Sequence, residues 1–193
     1  ETEFMGKRIG FIHPGVGSAL AASVMDELIG LGIKNFVACG GAGVLNAEIA
    51  CGHLIVPDFA YRDEGASYHY QAPSEGLAFE PGVLKVITKL LEGRGVPYIQ
   101  GATWSTDAPY RETKKKTAYF RERGCLSVEM EAAAFLAVAK FRKVNFGQIL
   151  YGGDLVIESG WDNRAWQSRG EIRKNLFWLA AEACLAIPEE MHA

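Results

Sequence analysis

The sequence lacks the features that mark membrane, secreted and disulfide-rich proteins. Its 193 residues contain no apolar run of the roughly 18 residues that a membrane span requires, and the N-terminus lacks the charged-then-apolar order of a signal peptide. Cysteine is scarce, and the four thiols, at positions 39, 51, 125 and 184, form no CxxC pair and lie among apolar residues. Disulfides and a structural zinc are therefore not expected, and a reducing cytoplasm is the predicted compartment.

An excess of charge of one sign is also missing. The chain has 20 Lys and Arg against 23 Asp and Glu, a formal net charge of −3, and its basic residues are dispersed. Nucleic-acid binders usually concentrate Lys and Arg on one face, so no such partner is expected. The single basic run, Lys114 to Lys116, is interpreted as a solvated helix face. The histidines, at positions 13, 53, 69 and 192, have no metal-ligand spacing. We expect neither a metal nor an organic cofactor.

Composition predicts one globular domain over residues 1–193. With 49% hydrophobic and 22% charged residues, the chain can bury one core, and no internal repeat or low-complexity linker divides it. The loops richest in Gly, Pro and Ser lie at 62–76 and 152–165. We expect them to hold ligands, because open α/β sheets bind ligands beyond the carboxyl ends of their strands.

Apolar spacing predicts alternating strands and helices. A strand over Ile9 to His13 leads into a helix from about Ser18 to Leu31, and a strand over Asn35 to Cys39 ends in a glycine turn, Gly40 to Gly43. Further strands are predicted at 53–61, 98–103 and 148–151, and helices at 83–92, 111–123, 129–141 and 169–187. Strand, helix, strand order implies parallel neighbours joined by a crossover. We therefore expect an α/β protein, a three-layer α/β/α sandwich with a mixed, largely parallel central sheet.

Two glycine turns are candidate anion sites. Gly15 and Gly17 follow the first predicted strand, and Gly40 and Gly41 follow the second. Glycine permits positive φ and close backbone approach, so such turns can direct several N–H groups at an anion such as phosphate. Neither turn has the Walker or dinucleotide spacing. The alternative is that tight strand-to-helix turns contain glycine for geometric reasons alone.

Acidic residues supply the second kind of candidate. Glu129 and Glu131 flank Met130 just before an apolar helix, and burying two carboxylates is costly unless they have hydrogen-bonding partners such as a ligand. Stabilisation of the helix dipole is the alternative. Asp154 follows Tyr151-Gly152-Gly153, where it could transfer a proton, although a strand-end Asp is more often a turn former or a helix cap.

Four segments resemble the nucleoside phosphorylase family. Val128 to Ala133 resembles the VEMEA signature of that family, and Ala42 to Leu45 resembles its AGGL-type turn. Arg62 to Tyr70 resembles the RDEGTSYHY segment, and Trp104 to Thr113 the TDAxYRET segment, of the uridine-phosphorylase-like branch. The similarity runs in order from about Lys7 to Ile187.

This resemblance implies phosphate-dependent cleavage of the N-glycosidic bond of a uridine or purine nucleoside, giving a free base and ribose 1-phosphate. Glu131 would hold the ribose hydroxyls, Met130 would pack on the sugar, Glu129 would support the site, and Asp154 would protonate or hydrogen-bond a purine base. The base pocket would be lined by Thr103, Trp104, Ser105, Thr106 and Asp107. The implied partners are a nucleoside, inorganic phosphate as co-substrate, and further copies of the chain in a dimer or hexamer.

Two departures from the family pattern concern phosphate. Ala38 and Gly41 stand where the family has a strand arginine and a turn Ser or Thr. The family also has an opening strand and an arginine-containing phosphate loop before the part that resembles Gly6 to Gly17, and this sequence has no segment that resembles them. We therefore expect a weak phosphate site formed by backbone N–H groups of the two glycine turns and by Ser18. An Arg from a preceding N-terminal segment, Arg62 or a side chain of a neighbouring subunit are the alternatives for a cationic contact. The alternatives are a nucleosidase that uses water and a nucleoside-binding relative without turnover.

Overall fold

The computed structural model describes residues 1–157, 159–188 and 191, so that His192 lies outside the described residues. The strands are β1 (Thr2–Phe4), β2 (Lys7–Ile9), β3 (Asn35–Val44), β4 (Leu54–Asp63), β5 (Gly76–Ala78), β6 (Tyr98–Thr106), β7 (Cys125–Glu129), β8 (Asn145–Ile157) and β9 (Gly160–Asp162). The α-helices are α1 (Ser18–Gly30), α2 (Pro81–Gly93), α3 (Lys114–Glu122), α4 (Ala132–Arg142) and α5 (Gly170–Ala186). Short 3-10 helices occupy Ala66–His69, Pro109–Arg111 and Trp166–Ser168.

Seven of the strands form one mixed sheet in the order β5-β4-β6-β7-β3-β8-β9. The longest ladders, β4 with β6 and β3 with β8, are parallel, whereas β7 and β3 run antiparallel. The start of β4 also pairs with β8, through Leu54 with Tyr151 and Ile55 with Leu150. Strands β4, β6, β7, β3 and β8 therefore close into a ring.

Helices cover both faces of the sheet, because the strands carry apolar side chains on both sides. Ala21 of α1 and Ala133 of α4 pack with Phe146 of β8 on one face. On the opposite face, Ile87 of α2 and Leu176 of α5 pack with β8 and β4. The predicted three-layer α/β/α sandwich with a mixed, largely parallel sheet is confirmed.

The predicted first strand is wrong. The strand ends at Ile9 and belongs to a separate hairpin of β1 and β2, while residues 10–17 are irregular. The hairpin lies on α5, where the rings of Phe4 and Trp178 are 5.0 Å apart. Phe11 and Ile12, which an inner strand would bury, are 61% and 57% exposed. Apolar composition indicated a strand here, but no neighbouring strand pairs with this segment in the described structure.

The second glycine turn is also wrong, because Gly40 to Gly43 lie inside β3 and none of these glycines has a positive φ. Close packing explains them instead. A Cβ atom on Gly41 would lie 2.9 Å from both Cζ and Oη of Tyr151, and one on Gly43 would lie 3.0 Å from methyl groups of neighbouring strands. The first turn is confirmed, since Gly15 and Gly17 have φ of 82° and 99°.

Several element boundaries differ from the prediction in ways that move candidate residues. Glu129 ends β7, which the sequence did not predict, and α4 begins only at Ala132. Strand β8 is much longer than the predicted 148–151 segment, so Asp154 lies inside the strand instead of after it. Cys39 is exposed, contrary to the buried environment expected for the four cysteines, all of which are free thiols.

Candidate functional site

Glu129 is buried where β7 meets α4, and it is 6% exposed. Its Oε1 accepts a hydrogen bond of 2.5 Å from the Ser105 hydroxyl, and its Oε2 accepts bonds from the N–H groups of Glu131 (2.8 Å) and Ala132 (2.7 Å). These two N–H groups open α4, so Glu129 stabilises the helix start, as the helix-dipole alternative proposed. Glu129 also fixes the backbone that carries Glu131.

Glu131 stands at the N-cap position of α4 and reaches the first glycine turn. Its Oε1 accepts a hydrogen bond of 2.6 Å from the N–H of Gly17, and the Ser18 hydroxyl donates to the carbonyl of Met130 at 2.6 Å. The carboxylate of Glu131 and the half-buried Met130 are the parts of the acidic motif that a ligand could contact.

Both glutamates have raised pKa values. Burial, together with the charge of Glu131, raises the pKa of Glu129 to about 7. Burial also raises the pKa of Glu131, while hydrogen bonds from the N–H groups of Gly17 and Met130 and the charge of His13 act in the opposite direction. The pair therefore carries less than two full negative charges at neutral pH.

The first glycine turn is already occupied by protein groups. The N–H of Gly15 donates to Nδ1 of His13 at 3.0 Å, and the N–H of Gly17 donates to Glu131. These two amides, which were predicted to bind phosphate, therefore already donate to protein groups. A phosphate that used them would have to displace both protein acceptors.

The N-terminus of α1 offers free amides instead. The first hydrogen bond of the helix joins the N–H of Ala21 to the carbonyl of Gly17 at 3.1 Å, so the amides of Ser18, Ala19 and Leu20 have no carbonyl partner within α1. No side chain caps this end. The first turn of α1 is therefore where the described structure leaves unpaired backbone amides beside Glu131, at the end of the helix whose dipole favours negative charge.

The second group of predicted phosphate residues lies along β3. Ala38 packs with the apolar cluster of α1 and α4, whereas Gly41 faces Tyr151, which packs on the α2 and α5 side. Side chains at positions 38 and 41 therefore point to opposite faces of the sheet, and one phosphate could not contact both. Gly40 lies between them on the strand and faces the same side as Ala38.

Arg62 has a different role from the one predicted. Its guanidinium donates to the Ser67 hydroxyl (2.8 Å) and to the carbonyls of Ala72 (2.6 Å) and Gln71 (3.2 Å), and it lies 3.8 Å from the ring centre of Tyr68. Arg62 is 7% exposed. These contacts hold the loop over residues 62–76, contrary to the expectation that Arg62 contacts phosphate.

The five predicted base-pocket residues do not all point to the same side, because side chains alternate between the two faces of the sheet along β6. Ser105 faces Glu129 and also accepts the N–H of Ala133 at 2.9 Å. Thr103 lies on the same side and donates to the Ser127 carbonyl at 3.3 Å. Ser105 is thus the member that the structure places directly at the acidic motif.

The other three members form a framework around Asp63. The indole N–H of Trp104 (3.0 Å) and the hydroxyl of Thr106 (3.2 Å) donate to Oδ2 of Asp63, and Lys116 forms an ion pair with the same oxygen at 2.6 Å. Lys116 is therefore not simply solvated, contrary to the interpretation of residues 114–116. Asp107 accepts the N–H of the loop residue at position 65 at 2.8 Å.

Asp154 lies beside the ends of β3 and β7. Its Oδ2 accepts a hydrogen bond of 2.5 Å from the indole N–H of Trp161, which β9 carries. A side chain on Gly43 would contact Oδ1 of Asp154 at 3.6 Å and the Val128 methyl at 3.0 Å. Because Val128 directly precedes Glu129, the structure brings Asp154 to the same end of the sheet as the acidic motif.

Glu112 is a further acid with a perturbed pKa, although the sequence did not single it out. It is half-buried after the 3-10 helix Pro109–Arg111. Burial, with the charge of Asp154, raises the pKa of Glu112 to about 7. Its position in the segment that resembles TDAxYRET was the available signal, but nothing in a polar Tyr-Arg-Glu-Thr stretch indicated burial.

The acidic motif, Asp154 and the N-terminus of α1 thus lie at one end of the sheet. A sequence profile of the Phosphorylase superfamily matches residues 2–173. The chain belongs to the phosphorylase superfamily. Guanosine phosphorylase from Halorubrum lacusprofundi is 28% identical over 144 residues, which cover 75% of this chain and 60% of that protein.

Solved structures of phosphorylase-superfamily proteins share the fold. Uridine phosphorylase from Vibrio fischeri ES114 gives a TM-score of 0.74 at 27% identity, over 90% of this chain and 70% of that one. AMP nucleosidase from Bacteroides thetaiotaomicron VPI-5482 gives a TM-score of 0.73 at 25% identity, over 88% and 68% of the two chains. The chain spans about three fifths of the length of the curated relatives that it matches, 60% and 57% for two of them.

Residues 1–157, 159–188 and 191 contain neither a helix suited to span a membrane nor a cluster of metal-ligating side chains. No helix in this part of the chain has the length and apolar character needed to cross a bilayer. The same residues contain no group of three or more His, Cys, Asp or Glu side chains placed to hold a metal ion.

Proposed function

We propose that this phosphorylase-superfamily chain is an enzyme that cleaves the N-glycosidic bond of a uridine or purine nucleoside with inorganic phosphate, giving free base and ribose 1-phosphate. The observation that carries the proposal is the meeting of Glu131, Asp154 and the free amides of α1 at one end of the sheet. A glycosidic cleavage requires a group that holds the sugar, a group that faces the base, and a site for the nucleophile, and these three features supply them.

Glu131 is the proposed ribose ligand. The N–H of Gly17 orients one carboxylate oxygen, and the carboxylate retains lone pairs that can accept hydrogen bonds from sugar hydroxyls. Met130 presents an apolar surface beside it, on which the carbon face of a ribose can pack. Glu129 is the proposed support, because it holds the backbone N–H of Glu131.

Asp154 is the proposed base-side residue, with Ser105 and Thr103, which share one face of β6, as pocket walls. The carboxylate can accept a hydrogen bond from the base or take part in its protonation as the bond to the sugar breaks. Both purine and pyrimidine bases offer groups that such an acid could contact. The proposal therefore covers both uracil and the purines as the base.

Phosphate would bind at the first turn of α1, next to Glu131. The backbone amides and the helix dipole attract a dianion there, but Ala38 adds no charge and Arg62 is held elsewhere. Bonds to a charged group contribute about 1.5–3 kcal/mol each, so the loss of two side-chain contacts should weaken phosphate binding by about 100-fold or more. Phosphorolysis should then require a high phosphate concentration.

Hydrolysis is the second candidate, and one observation favours it. The amides of Gly15 and Gly17 are bound to His13 and Glu131, so the turn that would attract phosphate is occupied. A solved structure of similar fold is an AMP nucleosidase. Binding of a nucleoside without turnover is the third possibility that the experiment separates.

We also propose that the chain works in the cytoplasm as a dimer or hexamer. In the described structure, β3 pairs with β7 only at Gly43 and Val44, so its edge from residue 35 to residue 42 has no strand on that side. An open backbone edge is usually covered by further chain or by another subunit. Light scattering at several protein concentrations gives the assembly size.

The deciding experiment incubates the protein with uridine, guanosine, inosine, adenosine and AMP, with and without phosphate, and separates the products. Phosphate-dependent release of base together with ribose 1-phosphate supports phosphorolysis. Release of free ribose or ribose 5-phosphate at the same rate without phosphate identifies a nucleosidase. Binding by calorimetry with no cleavage of any nucleoside identifies a binding protein. The Glu131→Gln variant is the control for contaminating activity, since it should lose whatever the wild type does.

A further inference from the structure

Trp161 is an exposed tryptophan that lies against the proposed base-side acid. Its indole N–H donates a hydrogen bond of 2.5 Å to Oδ2 of Asp154, yet the residue is 64% exposed. Trp104 and Trp178, in contrast, lie against other aromatic rings, with Trp104 fully buried and its ring centre 4.4 Å from that of Phe120. Trp161 therefore keeps much of its ring surface available beside a carboxylate that the proposed reaction uses.

The backbone of β9 places the Trp161 ring. Trp161 pairs with Val156 across the antiparallel ladder of β8 and β9. Facing residues of such a ladder share one face of the sheet, and so do residues two apart along a strand, so Trp161, Val156 and Asp154 lie on the same face. Beyond β9, the guanidinium of Arg164 donates to the carbonyl of Ile49 at 2.6 Å, which ties the end of the hairpin to the connection between β3 and β4. The ring thus stands at Asp154 before any ligand arrives.

The base pocket predicted from the sequence includes one aromatic residue, Trp104, and the structure does not leave its ring available. Trp104 is fully buried, and its indole N–H donates to Asp63 at 3.0 Å. Nucleobases have flat faces and polar edges, so proteins commonly bind them with an aromatic ring for the face and a polar group for the edge. Trp161 and Asp154 supply both from adjacent positions.

We propose that Trp161 is the base-stacking residue of this site, and that it makes the chain selective for purine nucleosides over uridine. The proposal rests on the proposed function, because it names the substrate class of that site. The Asp154 carboxylate retains lone pairs beyond the one that the indole occupies, so it can contact the edge of a base that stacks on the ring. A purine presents two fused rings to the indole and uracil presents one, so stacking favours the purine.

The binding test uses calorimetry with guanosine and with uridine on the wild type, Trp161→Ala and Trp161→Phe. The wild type should bind guanosine more tightly than uridine. Trp161→Ala should weaken guanosine binding by about tenfold or more, as expected for the loss of one stack on a base, and should weaken uridine binding less. Trp161→Phe keeps a ring without the N–H group and should recover most of the guanosine affinity. Trp178→Phe, a second partly exposed tryptophan, is the matched control and should bind like the wild type.

Three results of this test overturn the proposal. The first is wild-type guanosine affinity in Trp161→Ala, which would show that the base does not contact the ring. The second is a Trp161→Phe protein that binds guanosine as weakly as Trp161→Ala, because the residue would then act through its N–H group alone. The third is an equal loss for guanosine and uridine, or a wild type that prefers uridine, since either removes the selectivity.

A second measurement observes the ring directly and needs no turnover. Guanosine should quench the tryptophan fluorescence of the wild type and of Trp178→Phe, whereas Trp161→Phe should bind guanosine without this quenching. Quenching that persists in full in Trp161→Phe overturns the proposal, as does a wild type that binds no nucleoside. If guanosine binds and quenches as expected but no nucleoside is cleaved, the proposed function fails while the stacking is upheld. If nucleosides are cleaved but Trp161→Ala binds guanosine like the wild type, the stacking fails and the proposed function stands.

Discussion

Oε1 of Glu131 accepts a hydrogen bond of 2.6 Å from the N–H of Gly17, a residue 114 positions earlier in the chain. The bond joins the start of α4 to the start of α1 and turns one carboxylate oxygen away from any ligand. A hydrogen bond to a charged acceptor is roughly twice as strong as a neutral one, so this contact orients the Glu131 side chain before a ligand arrives.

Glu131→Gln should weaken nucleoside binding by about tenfold or more. The amide keeps the shape of the side chain, but it loses charge-assisted bonds to sugar hydroxyls that contribute about 1.5–3 kcal/mol each. Calorimetric titration with the best substrate measures the effect. Glu171→Gln, an exposed acid in the first turn of α5, is the control and should leave the affinity unchanged. Wild-type affinity in a folded Glu131→Gln protein would remove Glu131 from the binding site.

Positions 38 and 41 of β3 both depart from the family pattern, and we expect that only a substitution at position 38 can improve phosphate binding. Ala38→Arg places a guanidinium on the α1 and α4 face and should increase phosphate-dependent cleavage at low phosphate. The measurement is the phosphate KM. No change in this KM, with the fold intact, would show that phosphate does not bind on this face.

Gly41→Thr should instead destabilise the protein. The new Cβ would lie 2.9 Å from Cζ and Oη of Tyr151, which is fully buried and cannot move without disturbing the α2 and α5 packing. Overpacking of this kind costs about 1–3 kcal/mol. Urea unfolding measures the loss, and Tyr151→Val in the same background should recover part of it by making room. Stability equal to the wild type would contradict the described packing.

Asp63→Ala should destabilise the fold by about 1–3 kcal/mol, because it leaves the buried indole N–H of Trp104 without an acceptor and Lys116 without its partner. Trp104 is fully buried, so water cannot replace the lost acceptor easily. Denaturant unfolding gives the value. Glu48→Ala, an exposed acid, should lie within the error of the wild type. A loss that Lys116→Met reproduces in full would assign the effect to the ion pair and not to the indole.

The free energy of unfolding should fall between about pH 4.5 and pH 7 through Glu112 and Glu129. Both have a pKa of about 7 in the folded protein against an ordinary value of 4.5, so the folded state binds protons that the unfolded state has released in this range. Their contribution is full below pH 4.5 and is lost as pH rises through 7. The free energy of unfolding of the wild type should differ between pH 5 and pH 8, and Glu112→Gln should reduce this difference by about 1–2 kcal/mol after allowance for partial exposure. Parallel curves for the wild type and the variant would contradict the raised pKa.

Sequence patterns predicted the helices better than the strands. Helices α1, α2 and α5 agree with the predicted spans because apolar spacing and flanking Gly or Pro mark their ends locally. The predicted span of strand β8 ended at residue 151, because Gly152 and Gly153 are typical of a loop. In the fold these glycines permit close approach, since a Cβ on Gly152 would lie 2.9 Å from a Val44 methyl.

The acidic motif could be predicted, and its partners could not. Burial of Glu129 and Glu131 follows from the apolar residues around them, whereas the contact of Glu131 with Gly17 depends on how two helices meet. Glu112 is the clearer case, because its burial results from the packing of the α3 region against β8 and from no feature of its own segment.

The pairing of Leu54 with Tyr151 and of Ile55 with Leu150 has a consequence for cooperativity. A sheet can usually lose an edge strand and keep the remainder, but a closed ring opens only by breaking a ladder in its interior. The strands that close it are distant in sequence, so loop-closure entropy must be overcome before the last ladder forms. Amide hydrogens of Leu54 and Leu150 should therefore exchange with solvent only through global unfolding, while those of the β1 and β2 hairpin exchange through local opening.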